Sequence, residues 1–254
     1  MMAPRTGKTK TAIDIASILH QQGKVNRVVV ICPLSVMDVW VSEIRAHCPA
    51  PRRRITVWDK EGRKELDLPP WGQDVLDWVI LNYDAFSAPG MIIGRTTLPD
   101  GSPGPIKRSR TRGGRFEVKK NILRWKPQLM ILDESHRIKT PSARKTRVVW
   151  NLAWDSKGNA LVENRLILTG TVMTKKKRVF DIWSQWRFLN RNSKLVRGLS
   201  LKEFKDRYAV WTSRNGYPQW LRNRPDEMVE LRKRLHKESR SEEHTSELQS
   251  RHNL

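Results

Sequence analysis

Apolar residues follow two alternating patterns along the chain. Helical spacing begins after Gly7, continues through Ala12, Ile13 and Ala16, and stops at Gly23, a natural helix terminator. The same spacing returns between Val36 and Ile44. A β-branched run predicts a buried strand at Val28–Ile31, and further short, mostly apolar runs predict strands at Trp78–Leu81, Leu129–Leu132 and Arg165–Leu168. Buried strands that alternate with amphipathic helices predict an α/β fold with a central, mostly parallel sheet flanked by helices.

One segment interrupts this alternation. Residues 87–116 are rich in Gly and Pro and lack periodicity, which predicts either a long loop or an irregular hairpin inserted into the sheet connection. Lys107 to Lys126 is strongly basic and contains Phe116 and Trp125. This long basic insertion is either a solvated loop or a surface that contacts duplex nucleic acid. After Thr171 we expect a mainly helical region.

Composition changes the picture by adding charge. The 254 residues include 49 Lys and Arg against 26 Asp and Glu, a formal net charge of +23, which favours a polyanionic partner, nucleic acid first. No apolar run is long enough to span a membrane, and Met1–Arg5 begins no signal peptide, so we expect a cytoplasmic protein. Cys32 and Cys48, the only cysteines, are too few for a disulfide framework or a zinc cluster.

The C-terminal segment needs separate treatment. Arg240 to Ser250 resembles the translation of a common short-read sequencing adapter. We therefore exclude 240–254 from the fold as an adapter-derived tail and expect one lobe over 1–239.

Two motifs stand where a nucleotide hydrolase needs them. Thr6-Gly7-Lys8-Thr9 opens the first helix, where backbone amides face an anion, Lys reaches terminal phosphates and Thr can ligate Mg²⁺. By itself, the Thr6–Thr9 motif is equally compatible with an ordinary helix start. Asp133-Glu134-Ser135-His136 ends a buried strand, and such an acidic pair supplies a metal ligand and a base for water. An isolated strand-end pair is more often a solvated turn, but its combination with Gly-Lys-Thr favours the hydrolase.

The order of motifs resembles the first motor lobe of Swi/Snf-type superfamily-two ATPases, most of all compact phage and bacterial members. The resemblance extends over roughly Met2 to Ser239 and rests on Thr6–Thr9, Ile31–Ser35 with Trp40, Ile80–Asp84, Asp133–Lys139, Leu168–Thr171, Asp181–Trp183 and Phe204–Tyr208. It implies a RecA-like P-loop lobe that uses ATP and Mg²⁺ and contacts DNA, with duplex expected.

The resemblance also implies roles for individual residues. Catalysis would depend on Lys8, Asp133 and Glu134, with Glu134 activating water. The ATP site would contain Thr6, Gly7, Lys8, Thr9 and His136, with Thr9 and Asp133 holding Mg²⁺. His136 would couple this site to a second lobe. The nucleic-acid backbone would meet Pro33, Leu34, Ser35, Thr169, Gly170 and Thr171.

Several departures from the family pattern limit what this chain is expected to do alone. Ala3-Pro4-Arg5 and Val172-Met173-Thr174 differ from the usual flanking residues, although no ligating side chain is lost. We expect an upstream adenine-recognition segment and the second RecA-like lobe, with its arginine finger, to be absent. The function is then ATP-driven DNA translocation or remodelling in a longer parent, with the fragment by itself inactive. Alternatives are an RNA helicase, a restriction-system motor subunit, or a non-catalytic nucleic-acid-binding fragment.

Overall fold

The computed structural model describes residues 7–58, 74–86, 90–97, 103–111, 121–170, 178–193 and 199–234, with the backbone alone for 90–97 and 103–111. The strands are β1 Arg27–Cys32, β2 Arg53–Trp58, β3 Leu76–Asn82, β4 Gly90–Thr97, β5 Pro103–Thr111, β6 Leu129–Asp133, β7 Asn164–Leu168, β8 Ala209–Arg214 and β9 Tyr217–Asn223. The principal helices are α1 Lys8–Gln21, α2 Met37–His47, α3 Arg144–Ala153, α4 Phe180–Leu189 and α5 Leu201–Tyr208, with further helical segments over 121–125 and 225–234. The chain divides into two compact units, Met1–Gly170 and Thr171–Leu254.

The first unit is built on a five-stranded sheet with the order β2-β3-β1-β6-β7. All four pairings in this sheet are parallel. The central strands are buried along almost their whole length, as expected when helices cover both faces of a sheet. The predicted α/β fold with a mostly parallel sheet is therefore confirmed, and all four predicted strands are present.

Helices α1 and α2 cover one face of the sheet because their apolar residues recur on one side. Ile13 and Ala16 of α1, and Trp40 and Ile44 of α2, are almost completely buried and join a core cluster with alternate residues of the strands, such as Val28 and Val30 of β1. Every second side chain of a strand points to the same face of the sheet, so the strand residues of this cluster all lie on one face.

The edge strand β2 was not predicted. It begins with Arg53 and Arg54, and four of its six residues are only half-buried, so it lacks the continuous apolar run of a central strand. An ion pair links its side chains to β3. Arg54 lies opposite Asp77 of β3 and donates two hydrogen bonds to that buried carboxylate, of 2.7 and 2.8 Å.

The basic insertion contains the antiparallel hairpin β4-β5, which is one of the two structures expected there. Residues 87–89, 98–102 and 112–116 of this insertion lie outside the described part of the chain.

In the second unit, helices α4 and α5 agree with the expected helical region, but the expectation is wrong over 209–223. There β8 and β9 form an antiparallel hairpin. Its turn has positive φ at Asn215 (53°) and Gly216 (77°), the conformation that a tight two-residue hairpin turn requires and that Asn-Gly favours. The Asn215-Gly216 dipeptide was the sequence signal that could have predicted this hairpin. In the part of the chain that the structure describes, no helix is both long and apolar enough to cross a membrane.

Candidate nucleotide site at the carboxyl ends of the strands

The N-terminus of α1 presents backbone amides without a side-chain cap. Gly7 precedes the helix with φ 73° and ψ 20°, a left-handed conformation that glycine adopts without strain. Within the described part of the chain, no side chain caps the helix, and its first turn contains no acidic residue. The first amides of a helix have no partner within the helix and carry partial positive charge. This end of α1 is therefore suited to an anion. Thr6 lies outside the described residues.

Asp133, the last residue of β6, is held at three atoms. Its Oδ2 accepts a 3.0 Å hydrogen bond from the indole Nε1 of Trp40, and its Oδ1 accepts a 2.9 Å bond from the Glu134 amide. The hydroxyl of Tyr83 donates to its backbone carbonyl at 2.8 Å. Trp40 and Tyr83 are buried at 1% exposure each, so their own positions are set by the core. The carboxylate thus has a fixed orientation.

The electrostatics of Asp133 connect it to Lys8. Burial raises the pKa of the Asp133 carboxyl, the hydrogen bonds from Trp40 and Glu134 lower it, and the charge of Lys8 also lowers it. Helix α1 packs on the sheet and ends at Gln21, close before the start of β1 at Arg27, so its N-terminus with Lys8 lies towards the carboxyl ends of the parallel strands, where Asp133 ends β6. The structure therefore brings the two motifs to the same edge of one sheet.

Glu134 turns away from the strand direction. Its backbone is left-handed, with φ 49° and ψ 51°, an uncommon conformation for a residue with a side chain. Its Oε2 lies 3.1 Å from Nδ1 of His136, and the same nitrogen lies 3.4 Å from Oγ1 of Thr169. His136 therefore lies between the acidic pair and the residue that follows β7.

The remaining predicted residues also follow strand ends. Pro33 to Ser35 follow β1, with Pro33 buried, Leu34 69% exposed and Ser35 exposed. Thr169 is buried and Gly170 half-buried after β7. Since the strands are parallel, these segments share the edge that contains Asp133. Thr9 is half-buried in the first turn of α1, and Thr171 lies outside the described residues.

The predicted site omitted the contacts made by Trp40 and Tyr83. Sequence reasoning placed Trp40 on an amphipathic helix, and Tyr83 in a strand-end segment, without assigning either to Asp133. Trp40 is 93 residues from Asp133 and Tyr83 is 50 residues away, so no local spacing indicates these bonds.

The residues present fit a phosphate ligand and a hard divalent cation. The α1 amides and Lys8 complement phosphate oxygens. Asp133 offers carboxylate oxygens, each with a lone pair left after one hydrogen bond, and Thr9 offers a hydroxyl, which are the donor types that Mg²⁺ prefers. Among the described residues, no group of three or more His, Cys, Asp or Glu forms a protein-only metal cage. A cation here would be shared with its nucleotide, as is usual for Mg²⁺.

A parallel α/β lobe that has a helix N-terminus and an acidic pair at the carboxyl ends of its strands is a RecA-like lobe. The chain matches the SNF2-related domain over residues 2–241, and it belongs to that family.

Among solved structures, the chain is similar to the Sulfolobus solfataricus SWI2/SNF2 ATPase core in complex with dsDNA, with 23% sequence identity and a TM-score of 0.54. The match covers 81% of this chain and 33% of that one, so the present chain spans about a third of its length. A nuclease-deletion mutant of the Type ISP restriction-modification enzyme LlaGI, in complex with a DNA substrate mimic, matches at 14% identity and a TM-score of 0.42, covering 68% and 15% of the two chains. The first of these likenesses establishes a shared fold. No curated protein matched the chain.

Proposed function

We propose that this chain is the first motor lobe of an ATP-dependent DNA translocase or remodelling ATPase, which binds ATP with Mg²⁺ on one side of its strand-end edge and the DNA backbone on the other. The observation that carries this proposal is the position of the N-terminus of α1, which begins at Lys8, at the edge of the sheet where Asp133 ends β6, with the charge of Lys8 acting on the Asp133 carboxyl. Family membership and the charge of +23 add support. A cytoplasmic location, with access to DNA, is part of the same proposal.

Each side chain at the edge has a chemical task. The α1 amides and Lys8 bind and orient the terminal phosphates, and Thr9 and Asp133 would hold Mg²⁺. When bound, the ion neutralises phosphate charge and orients the terminal phosphoryl group. Glu134 accepts the proton of the attacking water. His136 orients the Glu134 carboxylate and connects it to Thr169.

DNA is proposed to bind along the segments that follow β1 and β7, which contain Pro33 to Ser35 and Thr169 to Thr171. Leu34 and Ser35 are accessible after β1, and Oγ1 of Thr169 lies 3.4 Å from Nδ1 of His136 after β7. Contacts of this kind reach phosphates and sugars and do not read sequence. A second lobe would complete the phosphate cage with an arginine and would convert closure of the cleft into movement along a strand.

Nucleotide binding by the 254-residue chain tests the proposal directly. We expect a fluorescent ATP analogue to bind weakly with Mg²⁺ and to be hydrolysed negligibly, because one lobe supplies half of the cage. Lys8→Ala should weaken binding about tenfold or more, since it removes a charged hydrogen bond to phosphate. Lys10→Ala is the matched control, because Lys10 lies on the same helix turn and pairs with Asp14 at 2.7 Å. Equal affinities of the two variants would contradict the proposed site.

A further inference from the structure

Trp40 differs from the other buried tryptophans in what its indole N–H contacts. The N–H groups of Trp58 and Trp78 are buried without a hydrogen-bond partner among the described residues, so this fold tolerates an indole whose N–H is unused. The Trp40 N–H instead donates to Oδ2 of Asp133, the carboxylate of the candidate metal site. With Oδ1 held by the Glu134 amide, each carboxylate oxygen accepts one hydrogen bond from the residues that the structure describes and keeps a second lone pair.

The position of Trp40 in the chain adds a second relationship. The single helical turn Leu34–Val36 runs directly into α2, which begins at Met37. Leu34, at 69% exposure, lies on the helical turn, and Trp40, at 1%, lies six residues later in the first turn of α2, which directly follows. Leu34 is accessible after the end of β1, and the Trp40 indole is bonded to Asp133.

We propose that Trp40 is a positioning residue, whose N–H orients Asp133 for the divalent cation and connects that carboxylate to the accessible Leu34–Ser35 segment. The inference rests on the proposed function, because it requires Mg²⁺ with a nucleotide, and duplex DNA, to bind at the carboxyl ends of the strands. A carboxylate whose orientation is fixed by a hydrogen-bond donor binds its metal more tightly than a carboxylate that rotates freely, because the folded protein has already oriented it before the metal binds. A ligand on Leu34 and Ser35 that shifts the start of α2 also changes the geometry of the Trp40–Asp133 bond.

The first test compares Trp40→Phe with Trp78→Phe. Both variants replace a buried indole by a phenyl ring, but only the first removes a hydrogen bond to Asp133. In the 254-residue chain, the Mg²⁺ concentration that half-saturates binding of a fluorescent ATP analogue should rise about tenfold for Trp40→Phe, the usual loss when an outer-shell donor to a metal ligand is removed. It should stay within about twofold of the wild type for Trp78→Phe. Circular dichroism checks that both variants are folded.

The second test uses the indole N–H resonances of ¹⁵N-labelled protein. Loss of one peak in Trp40→Phe and of another in Trp78→Phe assigns the two signals. Adding Mg²⁺ with ATP should shift the Trp40 peak, and adding a short duplex of arbitrary sequence should shift it again, whereas the Trp78 peak should stay in place. A role in packing alone predicts no such selectivity.

The outcomes separate this inference from the proposed function. If the wild type binds Mg²⁺–ATP and Lys8→Ala does not, but Trp40→Phe needs no additional Mg²⁺, the positioning role is wrong and the proposed function stands. If duplex DNA leaves the Trp40 peak unmoved, the connection to Leu34–Ser35 is wrong. If the wild-type chain binds no Mg²⁺–ATP at all, the proposed function fails together with the inference.

Discussion

The imidazole of His136 lies against the carboxylate of Glu134, with Nδ1 3.1 Å from Oε2. Glu134 adopts a left-handed backbone conformation that directs it away from the path of β6. Its side chain is therefore oriented by a neighbour two residues further along the chain. This arrangement places a carboxylate that can accept a proton directly beside Asp133.

Glu134→Gln should separate nucleotide binding from turnover in a parent protein that contains both lobes. The amide has nearly the shape of the carboxylate but cannot accept a proton from water, so the ATP hydrolysis rate should fall by about 10² or more. The dissociation constant for ATP should stay within about twofold. Steady-state hydrolysis with duplex DNA and equilibrium binding of a fluorescent ATP analogue measure the two quantities. Turnover that survives the substitution would assign water activation to another residue.

Arg54→Met should destabilise the first unit. Burial raises the pKa of Asp77, although hydrogen bonds and the charge of Arg54 act to lower it. Without Arg54, a nearly inaccessible carboxylate is left unpaired, which costs about 3 kcal/mol of unfolding free energy for a partner that is itself partly exposed. Urea denaturation followed by circular dichroism at pH 7 measures this loss. Arg52→Met is the matched control, because Arg52 and Asp74 form a solvent-exposed pair at 3.9 Å.

The same variant has a predictable pH dependence. The pKa of Asp77 is higher in the folded than in the unfolded chain. At pH values between these two pKa values, the folded state therefore binds more protons than the unfolded state. The contribution of Asp77 to stability therefore falls as pH rises through that window. Loss of Arg54 raises the folded pKa further. The difference in stability between Arg54→Met and the wild type should accordingly shrink as pH is lowered from 7 towards 4, and an equal difference at all pH values would contradict this account.

Cys32 should be chemically inert in the folded protein. Burial, together with the nearby charge of Asp133, raises the pKa of its thiol to about 12, so the reactive thiolate is scarce at pH 8. Cys48 is buried as well. We expect an aromatic disulfide reagent at pH 8 to react slowly with the native chain and to titrate both thiols rapidly in denaturant. Fast modification of Cys32 in the native chain would show that β1 is more accessible than its packing indicates.

The long basic insertion should contribute to DNA affinity through phosphates. The variant that tests this changes five side chains to Gln, namely Lys107, Arg108, Arg110, Arg112 and Arg115. Each phosphate contact contributes about 0.9 to the slope of log affinity against log salt, so this change should flatten the slope by up to about four. A salt titration of duplex binding by the parent protein measures it, with ATP binding as a check on folding.

A matched variant controls for the loss of charge. It neutralises five exposed basic residues outside the insertion, namely Lys24, Arg45, Arg147, Lys157 and Arg232. If the insertion variant and the wild type give the same slope, the insertion is a solvated structure and the DNA path lies elsewhere on the chain.

Much of the first unit was determined by local sequence. The apolar runs at Val28–Ile31 and Leu129–Leu132 are buried strands because they cannot be solvated on either face. Helix α1 begins after Gly7 and ends before Gly23, as its apolar spacing and glycines indicate. Parallel pairing then places the carboxyl ends of β1, β6 and β7 on one edge, so the shared edge of Pro33, Asp133 and Thr169 follows from the fold class alone.

Tertiary structure decided the rest. The edge strand β2 pairs with β3 and joins Arg54 to the buried Asp77, which no local pattern indicates, and the orientation of Asp133 depends on Trp40 and Tyr83. The raised pKa of Asp133 likewise comes from burial among residues distant in sequence. Periodicity describes one helix or strand at a time, so it indicates only which side of that element is buried. Which polar atoms meet within hydrogen-bond distance depends on how separate elements pack, and Trp40 and Asp133 meet only after α2 has packed on the sheet.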